Sequence, residues 1–337
     1  MTMRGDDLVE ARFYEREKEN KLRCKLCPHF CLIDPDNTGI CTVRRNEDGV
    51  LKTLNYGQVT SAAMDPIEKK PLYHYDPGSV TLSLGTRGCN LSCSFCQNWR
   101  ISQGSPRTRY YSPAGVVEMA GKKNSSTITF TYSEPVVWFE YIEDVAQRAA
   151  ERGLGIILVT NGFINPRPLQ ELIPYLSACN IDLKAMSAEF YRKHCGGGGP
   201  DPVRKTITSL HEAGVHLEVT NLLLPGENDG VEQLEDLCEF IADLSPEIPL
   251  HISRYFPRHR LKLGKTPAEV MERSFDLARK HLNYVYLGNI DHPRGRITYC
   301  PECSEELIDR SYFNLKNRLE SGECPQCGRE ISGVFNK

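Results

Sequence analysis

From Val80 onward the sequence alternates short β-rich runs with helix-like segments. The runs are "VTLSLG", "TITFTY", "GIILVTN", "NIDLKA", "HLEVTNLLLP", "LHISRYFP" and "YVYLGNI". Between them lie "SPAGVVEMAGKK", "EPVVWFEYIEDVAQRAAERG", "PRPLQELIPYL", "DPVRKTITSLHEAG", "GVEQLEDLCEFIADL" and "PAEVMERSFDLARKH". Several of these open on Pro or an N-capping Ser or Asp, and two close at Gly. A β-branched strand that returns after each helix belongs to a parallel sheet, so the chain reads as α/β. Six or so such units predict a partial parallel (β/α)6-type, TIM-like barrel over residues 80–295. Polar residues follow the runs: Ser133 and Glu134, Asn161, Asp182 and Lys184, Asn221, Arg254, Asn289. Any one of them is explained by a strand end reaching the surface. Together they point to a shared site on the C-terminal rim, where ligands bind.

The second constraint is cysteine. Eleven of the fourteen fall into three close-spaced groups, and only Cys179, Cys195 and Cys238 stand apart. The N-terminal "MTMRGDDLVEARFYEREKEN" has no apolar signal core and reads as a short surface helix. Clustered thiols without a secretory signal argue for metal in a reducing, cytoplasmic setting rather than for disulfides. No apolar run approaches the roughly 20 residues of a spanning helix, so no membrane is expected. A net charge of -3 gives no electrostatic reason to expect nucleic acid.

The first group, Cys24, Cys27, Cys31 and Cys41, lies in a small module over residues 1–79, with His29 as a spare ligand. Zinc or an auxiliary iron–sulfur cluster would suit these thiols; spacing alone does not choose, and zinc is the plainer reading. The last group, Cys300, Cys303, Cys324 and Cys327, forms paired CxxC knuckles in residues 296–337 and predicts a zinc ribbon. A redox disulfide pair is the competing reading. A ribbon this small buries little apolar surface, so metal would supply its folding energy.

The central group is "GTRGCNLSCSFCQNWR", with Cys89, Cys93 and Cys96 on the loop leaving the first run and Phe95 before the last thiol. Three thiols are one short of closed tetrahedral zinc or a fully ligated iron–sulfur cube. Either a distant residue completes a structural zinc site, or one metal corner stays open for chemistry.

This Cys-x3-Cys-x2-Cys spacing resembles the radical S-adenosylmethionine (SAM) superfamily. The resemblance implies a [4Fe–4S] cluster on the three thiolates, with SAM's amino and carboxylate groups on the open iron. It further implies a one-electron donor of the flavodoxin or ferredoxin type. Reductive cleavage of SAM then gives a 5′-deoxyadenosyl radical that abstracts hydrogen from an unidentified substrate. "TYSEP" is similar to the segment that contacts the SAM amino group, which implicates Glu134 and, beside it, Ser133. A helix-capping role is the competing reading of Glu134. "TNG", with Asn161, and "DLK", with Asp182 and Lys184, resemble SAM-holding segments of the pyruvate formate-lyase activating enzyme group. A buried ion pair is the competing reading of the last two. Two positions depart from that group: Val159 stands where Asp usually precedes Thr-Asn-Gly, and Phe256 follows Tyr255 where Tyr-His is common.

Nearly the whole chain is similar to the AmmeMemoRadiSam system radical SAM enzyme, on "CKLCPHFCLIDPDNTGICTVRRN", "YGQVTSAAMDPIEKKPLYHYDPGS", the central motif and the final knuckles. Asp65, Glu68, Lys69 and Lys70 would otherwise read as a solvated charge run. This resemblance implies association with Memo-type and AMMECR-type proteins. Two other functions remain open: a glycyl-radical-enzyme activase, and a non-catalytic metal-binding scaffold.

Overall fold

The computed structural model describes residues 8–311, 314–319 and 321–335. Its centre is one eight-stranded sheet with strands side by side in chain order: β1 (Ser61–Pro66), β2 (Val80–Gly85), β3 (Thr127–Phe130), β4 (Gly155–Thr160), β5 (Leu176–Asp182), β6 (His216–Leu223), β7 (Leu250–Arg254) and β8 (Val285–Gly288). Strands β2 to β8 are all parallel. β1 runs antiparallel to β2 at one edge. The seven parallel strands fall on the seven β-rich runs of the sequence, and the remaining strand of the sheet, β1, comes from the lead-in before residue 80. The sequence of β1, "SAAMDP", lacks the β-branched residues that mark the others.

Helices separate the parallel strands: α1 (Pro113–Lys122), α2 (Phe139–Ala150), α3 (Pro166–Leu172), α4 (Asp201–Glu212), α5 (Val231–Leu244) and α6 (Ala268–Ala278). Local chemistry starts them. The Ser112 side chain accepts the Gly115 N–H, and Pro113 fills the first turn of α1. Their apolar stripes then dock on the sheet. In α2, Phe139, Ile142, Val145, Ala146 and Ala149 are buried at helical spacing. Burying one such large side chain stabilises the fold by about 2 kcal/mol. β3 is buried along its whole length, as a strand covered on both faces must be.

The N-terminal segment does not form the expected surface helix within the described residues. Val9–Glu10 pairs with Val50–Thr53, and Tyr14–Arg16 pairs with Leu22–Cys24. Its charges have fixed partners on α2 and α3, which an exposed helix would not offer. The Arg12 N–H bonds Glu140 at 2.8 Å, and its guanidinium reaches Glu143 at 2.5 Å and Glu171. Buried Arg44 meets the same Glu140 at 2.5 Å.

At the other end, Ile297–Tyr299, Glu306–Ser311 and Asn314–Asn317 form a three-stranded antiparallel sheet. The tail returns to the lead-in, where the Val334 N–H bonds the His74 carbonyl at 2.7 Å and the Asp76 N–H bonds the Val334 carbonyl at 2.7 Å. Beneath it, buried Glu218 of β6 accepts the His74 N–H at 2.7 Å and contacts His216 at 3.0 Å and His251 at 2.6 Å. No described helix is long and apolar enough to cross a membrane.

Candidate active site

The C-terminal ends of the parallel strands surround a cavity of about 340 Å³. Cys89, Cys93, Phe95 and Cys96 line it from the loop after β2, and Ser133, Glu134 and Asn161 from the ends of β3 and β4. Asp182, Lys184 and Asn289 line it from the ends of β5 and β8, and Thr220, Leu222 and Ser253 from β6 and β7. Two other strand-end residues lie outside it. Asn221 donates to the Leu183 carbonyl at 2.7 Å, and Arg254 to the Thr266 carbonyl at 2.6 Å, so both tie loops together.

The thiol loop is held from two sides. Gly88, at φ +90, has no room for a side chain: a Cβ there would lie 2.8 Å from the Cys41 carbonyl oxygen and from Val43. On the other side, the Ser92 and Ser94 N–H groups bond the carbonyls of Cys195 and His194, each at 2.8 Å. Gly196 follows, at φ +70, where a Cβ would meet Ser92 Oγ at 2.4 Å.

That approach brings a fourth thiol, Cys195, against Cys93 behind the cavity wall. Buried Cys195 donates to Cys93, holding the Cys93 thiol below its ordinary value while its own is pushed far up. The other two sulfurs also have donors. The Leu91 N–H lies 3.3 Å and Asn161 Nδ2 3.8 Å from Cys89 Sγ, and Ser102 Oγ lies 3.3 Å from Cys96 Sγ. Burial pushes the free Cys89 and Cys96 thiols up. Sulfurs that face a cavity and receive hydrogen bonds from neighbouring donors suit metal-bound thiolates.

Glu134 is buried and already engaged. Its Oε1 accepts the Val136 N–H at 2.9 Å and the Thr160 hydroxyl; Oε2 accepts the Asn161 N–H at 2.9 Å. Burial pushes its carboxyl up to about 7. Lys184 Nζ pairs with Asp182 at 3.0 Å and lies 5.9 Å from the centre of the Phe95 ring. Burial works against the Lys184 ammonium, yet Asp182 and Cys93 hold its pKa well above the ordinary lysine value.

The lead-in adds groups that sequence reading did not place here. Lys70 is buried on the cavity wall and pairs with Asp65 at 2.8 Å; its ammonium sits 4.5 Å from the centre of the Tyr132 ring. The Tyr132 hydroxyl donates to the same Asp65, from a backbone held at φ +68. Burial opposes the Asp65 charge, but Lys70 and Tyr132 keep its carboxyl well below the usual range. A non-glycine residue at positive φ beside a cavity stores strain that the surrounding packing must hold.

The two outer cysteine groups differ in spacing. Among the described residues, Cys300, Cys303, Cys324 and Cys327 alone bring metal-ligating atoms within 4.8 Å of one another. Cys300 and Cys327, and Cys303 and Cys324, each lie 3.6 Å apart. One tetrahedral ion with sulfur bonds of about 2.3 Å sets its ligands roughly 3.8 Å apart, so this quartet fits a single ion. Cys24, Cys27, Cys31 and Cys41 line a second cavity behind the thiol loop. His29 is not a spare ligand through Nε2, which bonds the Asn90 carbonyl at 2.6 Å.

A family model described as Radical SAM superfamily matches residues 83–241. The chain is 41% identical over 335 residues to "Uncharacterized protein MJ0808" of Methanocaldococcus jannaschii, covering 97% of this chain and 99% of that protein. It is 24% identical over 242 residues to "Probable GTP 3′,8-cyclase" of Methanococcus maripaludis, covering 67% of this chain and 80% of the relative. Among solved structures, a radical SAM methyltransferase from Sphaerobacter thermophilus superposes with a TM-score of 0.50 at 16% identity, covering 63% of this chain and 67% of that one. At that identity the likeness is one of fold.

Proposed function

The chain belongs to the radical SAM superfamily, and from that premise we propose that it is a radical SAM enzyme of the AmmeMemoRadiSam type, acting on an unidentified substrate. One observation carries the reading. Three thiols with N–H and O–H donors share a cavity at the strand ends with a buried carboxylate and an ion-paired lysine. The donor set fits a [4Fe–4S] cluster on Cys89, Cys93 and Cys96 better than a single ion, because these sulfurs are not gathered within 4.8 Å. When bound, the cluster and SAM would supply the one-electron chemistry that makes a carbon radical.

The chain's own residues position and shield. Oε2 of Glu134 keeps one acceptor position for SAM's ammonium. Asn161, fixed by Glu134 and by Asn90 at 2.9 Å, orients the wall beside Cys89. Phe95, buried beside the thiols, keeps water from that side of the cavity, which a reactive radical requires. Lys70 and Asp65 enter from the lead-in, meet Tyr132 at the end of β3, and with it are our choice for the substrate side.

We read the eight-stranded sheet as a partial barrel, the final quartet as a zinc ribbon and the compartment as cytoplasmic. An electron donor of the flavodoxin or ferredoxin class and partners of the Memo and AMMECR types follow from the family reading.

The test is anaerobic reconstitution with iron and sulfide, followed by dithionite and SAM. Deoxyadenosine release that disappears in Cys93→Ala is the expected result. A protein that takes up zinc alone, whatever the iron supply, is a scaffold and not this enzyme.

A further inference from the structure

We propose that Cys24, Cys27, Cys31 and Cys41 hold a second iron–sulfur cluster, set directly behind the loop that carries Cys89. The argument compares three cysteine groups in one chain. The C-terminal quartet has closed to the spacing of one tetrahedral ion, with sulfur pairs at 3.6 Å. The N-terminal quartet has not: its ligand atoms are not gathered within 4.8 Å, although all four residues line one cavity. In this it matches the central trio.

The shape of the cavity agrees. The four thiols face one another across a narrow cavity with only about 10 Å³ of room for the centre of a free water. Atoms bonded to sulfur approach far more closely than a free water can. The space therefore suits a group bonded to its walls, not a diffusing ligand. A single zinc would instead draw the thiols together and leave little space, as four bonds of about 2.3 Å require.

The surroundings also suit a charged centre. The buried guanidinium of Arg44 shares the cavity wall, and Leu26, Ile33 and Val137 exclude water from it. Hydrogen bonds, net charge and burial are the protein's means of tuning such clusters. Transfer of a preformed cluster from a thiolate carrier is ligand exchange: each thiol loses its proton, each sulfur bonds one iron as a carrier thiolate leaves and takes that proton, and the cluster keeps its oxidation state.

The position is specific. The His29 Nε2–H, in the Cys27–Cys31 loop, bonds the carbonyl of Asn90 at 2.6 Å. Cys41 packs its carbonyl against Gly88. The quartet thus touches both chain neighbours of Cys89, so two reduced clusters would sit close enough for their spins to interact.

The assignment of the central trio rests on the proposed function; the quartet is tested apart from it. The variant with Cys89, Cys93 and Cys96 all changed to Ala is reconstituted with iron and sulfide. Retained iron and acid-labile sulfide in equal number, with an EPR signal after dithionite, is the expected result. Iron-free protein with about two zinc ions per chain overturns the assignment. Should that variant not fold, the wild type decides. Reduced wild type is expected to show two interacting signals, of which SAM shifts one, and Cys27→Ala/Cys31→Ala should lose the other. One signal that responds wholly to SAM, with about four irons per chain, overturns the second cluster. Cluster retention without any SAM response would leave the quartet's assignment standing and remove the reading of the trio.

Discussion

Glu134 holds Asn161 in place across the strand ends: its Oε2 accepts the Asn161 N–H at 2.9 Å, and the Asn161 amide then reaches Asn90 and the Cys89 sulfur. The carboxylate read from sequence as a SAM contact is also the clamp between two strands. Three of its roughly four acceptor positions are filled from within the fold.

The proposed contact between Glu134 and SAM's ammonium would make SAM binding pH-dependent. Burial raises the Glu134 carboxyl to about 7, so it is mostly neutral at pH 6 and mostly ionised at pH 8. An ammonium needs the ionised form, so SAM affinity should rise about tenfold between those pH values. Stability runs the other way. A carboxyl raised in the folded state adds stability below its ordinary value, and that is lost as pH rises through about 7. Glu134→Gln should flatten the binding profile and weaken SAM by about tenfold to a hundredfold at pH 8. SAM titrations of both proteins at three pH values are the check, and a flat wild-type profile removes the role.

Cys195 should tune the central site without holding it. Its thiol donates to Cys93, and donors to cluster sulfurs favour the reduced state. Cys195→Ala is expected to retain the cluster while lowering its midpoint by about 40 mV, the one-electron equivalent of about 1 kcal/mol. A dithionite-monitored redox titration measures this. Loss of the cluster would instead make Cys195 a ligand.

Glu218 anchors the far end of the sheet. Burial opposes its charge, but hydrogen bonds from His216 and His251 hold its carboxyl well below the ordinary glutamate value. Its stabilisation is therefore present above that ordinary value and is lost as pH falls below it, by about 1.4 kcal/mol per pH unit. Glu218→Gln should cost about 3 kcal/mol near neutrality and reduce that acid slope. Urea denaturation between pH 3.5 and 7 separates the two effects.

The final quartet should fold its own module. Cys300 and Cys324 share a small core with Leu307, Ile308 and Ile331, packed against Tyr284 and Tyr286. Cys324→Ala is expected to release one metal ion and open residues 296–335 to proteolysis, leaving the visible spectrum of the central cluster in place. Loss of that spectrum would mean that the two sites fold as one.

Much of this arrangement could be read in advance where a local pattern carries it. β2 spans the same six residues as the run "VTLSLG". β5 begins at Leu176, four residues before its run was read, because "LSAC" has no β-branched residue to mark it. The N-terminal helix failed for a different reason: Arg12 finds its partners on helices more than a hundred residues away. Cys195 shows the same limit at the site. It looked solitary because a contact between two loops leaves no periodic trace, although the glycines after it permit that approach. The wall residues were legible because each follows its own strand, and a parallel sheet gathers such positions at one end.

The bond between Val334 and His74 also sets an order of events during synthesis. The His74 ring meets the carbonyl of Ser332, across 258 residues of chain. At roughly 5–20 residues per second, a ribosome needs on the order of tens of seconds to cover that interval. Throughout it, the segment carrying Lys70 has no clasp at its far side, while the strands of the sheet are already emerging. The wall of the cavity that carries Lys70 is thus locked last, so the nascent chain exposes Cys89, Cys93 and Cys96 before the chamber around them is closed.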